Sequence, residues 1–146
     1  MNELSNSNLR QFVIFKLGKE EYGIDIQRVT IIEKVMKITR VPKTPAHVKG
    51  VINLRGEIIP IMDLRKRFHL PDAEVTENTR IIIIKVEEVT LGVMVDEVLQ
   101  TLQLSDEFIE NTTNLGDNIY MDYIYGVGKV GERIITLLNP EKLIRI

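Results

Sequence analysis

Four carboxylates stand at the ends of apolar stretches, where a general acid and a general base could sit: Asp25, Asp63, Asp96 and Glu97. Two carboxyl groups do this work only when the fold brings them together with different pKa values, because one must be protonated while the other is ionised. The order of residues does not show that these four converge, and most carboxylates are solvated. A small enzyme with its site in a cleft between two lobes therefore stays open as a hypothesis.

Residues 126–131 read Gly-Val-Gly-Lys-Val-Gly, which matches the dinucleotide-binding spacing GxGxxG. That motif needs a helix directly after it, so that the phosphates meet the helix N-terminus. Residues 133–138 predict a strand instead, and we interpret the glycines as a glycine-rich hairpin loop. His47 and His69 are the two histidines, and the chain has no cysteine. We predict no catalytic residue, metal site or cofactor.

The central stretch 50–64 predicts a β-hairpin, because two apolar runs flank a connector that ends in Gly56. Pro60 cannot donate a hydrogen bond within a sheet, so the second strand should lie at an edge or carry a bulge there. The hairpin would hold Arg55 near its tip. A solvated surface arginine and a fixed cation for binding are both compatible with this position.

Composition narrows the class of protein. A net charge of −2 shows no basic domain for nucleic acid, and 44% hydrophobic residues are typical of a globular chain. No signal peptide and no membrane-spanning run is present in the sequence, so we expect a cytoplasmic protein without membrane insertion. Residues 1–9 predict a mobile N-terminal tail. The remaining segments predict strands over 11–17, 22–26 and 38–41, a helical turn over 63–68 and a linker over 71–79, while 25–36 fits a short helix or a strand.

An internal repeat organises the chain. Residues 10–29 align with 79–98 at an offset of 69, which places Gly23 on Gly92. Further on, Gly50 aligns with Gly126 at an offset of 76. The difference predicts a seven-residue insertion in the second copy, within Ser105–Asn118, as either a functional or a plain surface loop. Two units of about five strands, each too small for a core of its own, should pack around a shared one.

Several stretches resemble the CheW family of chemotaxis coupling proteins, with the Asn-Leu-Arg-Gly hairpin as the most specific. They are Glu21–Ile26, Val41–Pro45, Lys49–Arg65, Gly92–Val98, Tyr125–Lys129 and Ile134–Leu143. The resemblance implies an all-β fold of two SH3-like five-stranded β-barrels packed around a shared hydrophobic core, with short helical turns and a short C-terminal helix. Residues 10–146 would form one domain of two intertwined lobes, 10–70 and 79–146.

The resemblance also implies a non-enzymatic adaptor at receptor arrays on the inner face of the membrane. Its partners would be the signalling tip of a chemoreceptor (a methyl-accepting chemotaxis protein) and the regulatory domain of the histidine kinase CheA. Val29, Gly50 and Arg55 match the family's receptor-facing motif. Ile31 replaces an acidic residue there and would extend an apolar patch.

For contact with the kinase, the resemblance implies Glu110 and Leu115. A regulatory CheW-like domain of a larger kinase, or a coupling domain fused to a receiver, stays open as an alternative.

Overall fold

The computed structural model of the chain describes residues 9–111 and 123–145. The strands in these ranges are β1 (Leu9–Leu17), β2 (Glu20–Asp25), β3 (Val29–Lys34), β4 (Val48–Leu54), β5 (Glu57–Asp63), β6 (Arg80–Val86), β7 (Val89–Val95), β8 (Glu97–Ser105), β9 (Ile109–Asn111), β10 (Ile124–Val130) and β11 (Arg133–Leu138). The helices are α1 (Leu64–Arg67) and α2 (Pro140–Leu143), and 3₁₀ turns cover Ile26–Arg28 and Asp106–Phe108. The expected tail lies outside the described residues except for Leu9, which already belongs to β1.

Two sheets share these strands, in the orders β8-β1-β2-β11-β10-β9 and β3-β6-β7-β5-β4. The six-stranded sheet combines the first two strands of the chain with the last four. The five-stranded sheet inserts β6 and β7 among β3, β4 and β5. Each sheet is therefore completed by strands from the other half of the sequence, and the predicted all-β fold class is confirmed.

The two repeats have the same hydrogen-bonding register. In the β1–β2 hairpin Phe12 lies opposite Asp25, and in the β6–β7 hairpin Ile81 lies opposite Met94, which is the same pair shifted by 69 positions. The parallel pairings are equivalent as well, since β5 joins β7 and β11 joins β2. The repeat seen in the sequence is therefore a repeat of backbone pairing.

The second offset is equally regular. Gly50 lies opposite Ile61 across β4–β5, and Gly126 lies opposite Leu137 across β10–β11, a shift of 76 positions. A register irregularity precedes each of the two glycines. Such a bulge bends and twists the strand locally. Both copies therefore carry the same bend at the same position.

The described residues form three apolar clusters. The central one contains Phe15, Tyr22, Ile84 and Leu138, which come from both sheets and both halves. Two smaller clusters lie one in each sheet, around Ile83 in the five-stranded sheet and around residues such as Ile14 in the six-stranded sheet. Because β1 and β6 contribute one face to the central cluster and the other to a smaller cluster, their sequences are almost uninterrupted apolar runs.

The central hairpin turns over two residues. Leu54 pairs with Glu57, and the intervening Arg55 and Gly56 have φ values of 54° and 86°. Positive φ at both central residues is typical of tight hairpins whose twist matches that of the strands. The side chain of Asn53 accepts a hydrogen bond from the Gly56 N–H at 3.0 Å. The predicted hairpin is thus present, with Arg55 at its tip.

The expectation for Pro60 is wrong, because β5 lies between β4 and β7 and the β4–β5 bulge lies near Gly50. Pro60 is opposite Val51, whose N–H and C=O both bond to Thr39 on the other side of β4. The Val51–Pro60 pair therefore exchanges no hydrogen bond. Pairing with β7 begins one residue later, at Ile61, so the missing N–H leaves neither neighbour without a partner.

Four other segments can be compared with their predictions. The strand predicted over 38–41 is reduced to one bridge between Thr39 and Val51. Segment 25–36 contains both alternatives in short form, a 3₁₀ turn followed by β3. The glycine motif 126–131 is not a loop throughout, since its first five residues belong to β10 and only Gly131 lies in the turn. The first part of the predicted insertion forms a 3₁₀ turn and β9, and 112–118 lies outside the described residues.

Candidate functional site

The three aspartates considered for acid–base chemistry hold the backbone instead. Asp25 accepts a hydrogen bond from the Gln27 N–H at 2.9 Å, and Asp63 caps α1 by accepting from the Arg65 N–H at 3.0 Å. Asp96 accepts from the Gly18 N–H at 2.7 Å. Asp25 and Asp63 thus cap the turns that follow their strands, whereas Asp96 binds the backbone of the β1–β2 turn.

Asp96 and Arg65 form a two-pronged ion pair, with the guanidinium Nε and Nη2 at 2.9 and 2.5 Å from the two carboxylate oxygens. The hydrogen bond from Arg65 holds the pKa of Asp96 below its ordinary value. A general acid at neutral pH needs a raised pKa. Asp96 is therefore suited to joining α1 to the β7–β8 connection rather than to proton transfer.

The histidines are not arranged as a metal site. His47 precedes β4, with its carbonyl accepting from the Asp63 N–H at 2.7 Å, and His69 follows α1 with a φ of 60°. Burial lowers the pKa of His47, with a further contribution from the charge of Arg67. Across 9–111 and 123–145, no three His, Cys, Asp or Glu side chains are grouped as ligands for an ion. Nor does this part of the chain contain a helix with the length and apolarity of a membrane span.

The residues matched to the receptor-facing motif all belong to the five-stranded sheet, but they are not all exposed. Val29 and Ile31 lie on β3 at one edge, and both are half-buried. Val29 packs against the central cluster and Ile31 against the cluster of its own sheet. Ile32, which points the opposite way, exposes 38% of its surface. The apolar position predicted at Ile31 is therefore largely turned inward.

Gly50 lies on β4 at the other edge of this sheet, and it is buried. Its φ is 148°, and a Cβ atom here would stand 2.2 Å from the carbonyl oxygen of Thr39. That distance is far inside van der Waals contact, so no side chain fits without moving the backbone. Glycine at this position is required by the close approach of the loop before β4.

Arg55 is exposed at the hairpin tip, and no hydrogen bond or ion pair joins its side chain to the described parts of the molecule. Ile58, three residues further along the same hairpin, exposes 59% of its surface. The hairpin therefore exposes a cation in its turn and an aliphatic side chain on β5, a combination suited to protein contact. Sequence reasoning missed Ile58, although the two-residue turn and strand alternation from the buried Ile59 would have placed it outside.

Glu110 and Leu115 are the two residues predicted to contact the kinase. Glu110 lies on β9, at the edge of the six-stranded sheet, and forms an exposed ion pair with Lys129 at 2.8 Å. Leu115 lies outside the described residues. Phe108, in the 3₁₀ turn just before β9, exposes 53% of its surface and was not predicted.

The profile of the CheW-like domain matches residues 11–146 of the chain. The chain belongs to the CheW-like family. Relatives from Klebsiella aerogenes and Bacillus subtilis, both named chemotaxis protein CheW, are 40% and 42% identical to it. The alignments cover 92% and 88% of this chain, and 81% of each relative.

A solved structure agrees. The crystal structure of the scaffolding protein TtCheW from Thermoanaerobacter tengcongensis aligns with a TM-score of 0.84 and 33% identity, over 89% of this chain and 88% of that one. The resemblance to CheW read from the residues is therefore confirmed. We therefore interpret Arg55, Ile58 and Glu110 as surface residues of a CheW-like fold.

Proposed function

We propose that this chain is a non-enzymatic adaptor that couples the cytoplasmic tips of chemoreceptors to the histidine kinase CheA. The observation that carries the proposal is the match to CheW proteins over nearly the whole chain, with a structural neighbour titled a scaffolding protein. Asp25, Asp63 and Asp96 support it, because each carboxylate accepts a backbone hydrogen bond that caps a helix or holds a turn. The proposal includes a location in the cytoplasm, at receptor arrays on the inner face of the membrane.

The receptor contact is proposed at the five-stranded sheet, around Arg55 with Val29, Ile31 and Gly50. Arg55 offers a cation that forms no ion pair with the described residues, and Ile58 on β5 adds exposed apolar surface to the same hairpin. A helical hairpin of a receptor would contribute an apolar stripe flanked by polar residues, as in helix-in-groove recognition. In this arrangement Gly50 acts through the backbone, by letting the Thr39 loop approach β4.

The kinase contact is proposed at β9 and the residues that follow, with Glu110 and Leu115. β9 has three residues and lies at a sheet edge, where short charged strands are common. The ion pair between Glu110 and Lys129 is exposed and worth at most about 1 kcal/mol, so a partner can replace it at little cost.

The alternative is a regulatory CheW-like domain of a larger kinase, or a coupling domain fused to a receiver. The matched relatives named chemotaxis protein CheW have similar lengths, with 81 to 89% of each covered by the alignment. The name that these relatives carry, chemotaxis protein CheW, favours the coupling protein.

Binding of the purified chain to a receptor signalling domain and to a CheA regulatory domain tests the proposal. We expect dissociation constants of tens of micromolar or lower, roughly −6 kcal/mol or stronger. Arg55→Glu should weaken receptor binding about tenfold or more, because it places a like or unmatched charge at the contact, and should leave kinase binding unchanged.

Lys19→Glu is the matched control, since Lys19 is exposed in the β1–β2 turn and the charge change is the same. It should alter neither affinity by more than about twofold. Absence of binding to both partners would contradict the adaptor role. Equal loss in both variants would remove Arg55 from the receptor site.

A further inference from the structure

Residues 34–56 carry charge of a single sign. They contain six cations, Lys34, Lys37, Arg40, Lys43, Lys49 and Arg55, and no Asp or Glu. The chain as a whole has 21 acidic and 19 basic residues. The positive charge of this basic segment is therefore a local excess within a slightly acidic protein, and the adaptor function as proposed uses only Arg55.

Three cations of this basic segment and one cation of α1 line one concavity. Arg40 and Lys43 come from the loop between β3 and β4, Lys49 comes from β4, and Lys66 comes from α1. The concavity has a volume of about 370 Å³, and no carboxylate is among the described residues that line it. A cleft lined by charges of one sign concentrates the field and attracts ligands of the opposite sign.

The loop that forms the wall is held in shape. Thr39 and Val51 exchange two backbone hydrogen bonds of 2.8 Å, which tie the loop to β4. Val48 donates to the Pro45 carbonyl at 3.0 Å, and the Thr44 hydroxyl donates to the Val41 carbonyl at 3.1 Å. Two prolines in the same loop limit its freedom further. A ligand would therefore meet a preformed surface and lose less entropy in binding.

Two of the four cations have no carboxylate partner among the described residues. Arg40 and Lys43 are exposed, and neither forms an ion pair with any residue in 9–111 or 123–145. Lys49 lies 4.0 Å from Asp63, whose other oxygen already caps α1, and Lys66 pairs with the exposed Asp72. Nothing in the described structure offsets the charge of the loop.

We infer that this basic concavity is a docking site for an acidic segment of a protein partner, one that presents several Asp or Glu side chains in a row. An extended acidic segment can enter a concavity. A lipid bilayer is flat and would contact protruding residues instead. The loop also lacks the aromatic residues that anchor proteins at lipid interfaces. The inference deepens the adaptor function and rests on it for which partner supplies the acidic segment.

The direct test measures binding of a fluorescent oligoglutamate peptide to the full chain by anisotropy, with an oligoglutamine peptide for comparison. We expect binding of the glutamate peptide alone, weakening steeply from low to high salt. Arg40→Gln with Lys43→Gln should weaken it about fivefold or more. Lys19→Gln with Lys85→Gln removes the same charge at exposed positions outside the segment and should change it less than twofold.

Three results would overturn the inference: equal weakening by both double variants, tighter binding to vesicles of anionic phospholipid than to the peptide, or displacement of the peptide by millimolar inorganic phosphate. The substituted residues are exposed, so unchanged melting temperatures verify folding. The peptide assay needs neither receptor nor kinase. It therefore tests the docking site even if the adaptor function proves wrong. If the adaptor function holds, the Arg40 and Lys43 double variant should also reduce the association rate with one natural partner.

Discussion

Among the residues proposed for function, Gly50 is the one at which a side chain would clash with the backbone. Gly50→Ala should lower the free energy of unfolding by roughly 3 kcal/mol or more, because the new Cβ would meet the Thr39 carbonyl oxygen at 2.2 Å and strain a backbone that tolerates only glycine. Gly56→Ala is the matched control: it has a positive φ but open space around it, and should lose about 1 kcal/mol. Urea denaturation of both variants measures the difference, and equal losses would contradict the steric explanation.

The Arg65–Asp96 pair predicts how stability depends on pH. The folded pKa of Asp96 lies below its ordinary value of 3.8, so its contribution is fully present above that value and is lost as pH falls through the lowered folded pKa. Asp96→Asn should therefore cost about 1–2 kcal/mol at pH 7 and progressively less in acid. Thermal unfolding between pH 7 and acid conditions measures this convergence.

Asp72→Asn serves as the control for that experiment. Asp72 pairs with Lys66 at the surface and exposes 71% of its side chain, so its loss should cost under about 0.5 kcal/mol at any pH. The pKa of His47 is also lowered, and its protonation removes stability as pH falls below about 6.5. That loss should be the same in wild type and in Asp96→Asn, which separates the two groups.

At the scale of elements, β6 is one of the strands with two buried faces. Ile82 packs in the central cluster and Ile83 in the cluster of the five-stranded sheet. Substituting either with alanine should cost about 2–5 kcal/mol, because each leaves a cavity in a filled core. Ile32→Ala on the outer side of β3 should cost under about 1 kcal/mol. A small loss of unfolding free energy for either β6 variant would show that the corresponding cluster is loosely packed.

The connections between the two sheets are short. The chain passes from β2 to β3 over Ile26–Arg28, and from β7 to β8 over Asp96 alone. Both β2 and β8 pair antiparallel with β1, so they run in the same direction. If β3 took the place of β8, three residues spanning about 10 Å would have to return along a whole strand, about 20 Å. Each half must therefore give its later strands to the other sheet.

At the scale of the whole molecule, this exchange predicts that the halves stay associated without a covalent link. A protease site inserted after Glu74, in the exposed linker, should allow cleavage into two fragments that elute together at the size of the intact chain. The reason is that cleavage leaves the pairings of β1 with β8 and of β3 with β6 intact. Separation of the fragments by gel filtration without denaturant would contradict an exchanged fold, and denaturant should separate them.

Much of the architecture followed from local pattern. Alternating and continuous apolar runs predicted most strands, Gly56 marked the hairpin turn, and the glycines at 23 and 92 revealed the repeat. The strand predicted over 38–41 was wrong because a single bridge to Val51 is all the pairing that this segment forms. The prediction of an edge or a bulge at Pro60 was wrong because the neighbouring strands determine which backbone groups need partners. Those neighbours come from distant parts of the sequence.

What the sequence determined by itself was the family, the doubling and the small set of residues at the hairpin, since these depend on residue order and short-range turn chemistry. Only the tertiary structure decided that each sheet exchanges strands with the other half, because pairing between distant segments leaves no local signature. It also decided that Ile31 faces inward, that Asp96 is committed to Arg65, and that four separate cations line one concavity. Such outcomes depend on which side chains become neighbours in space.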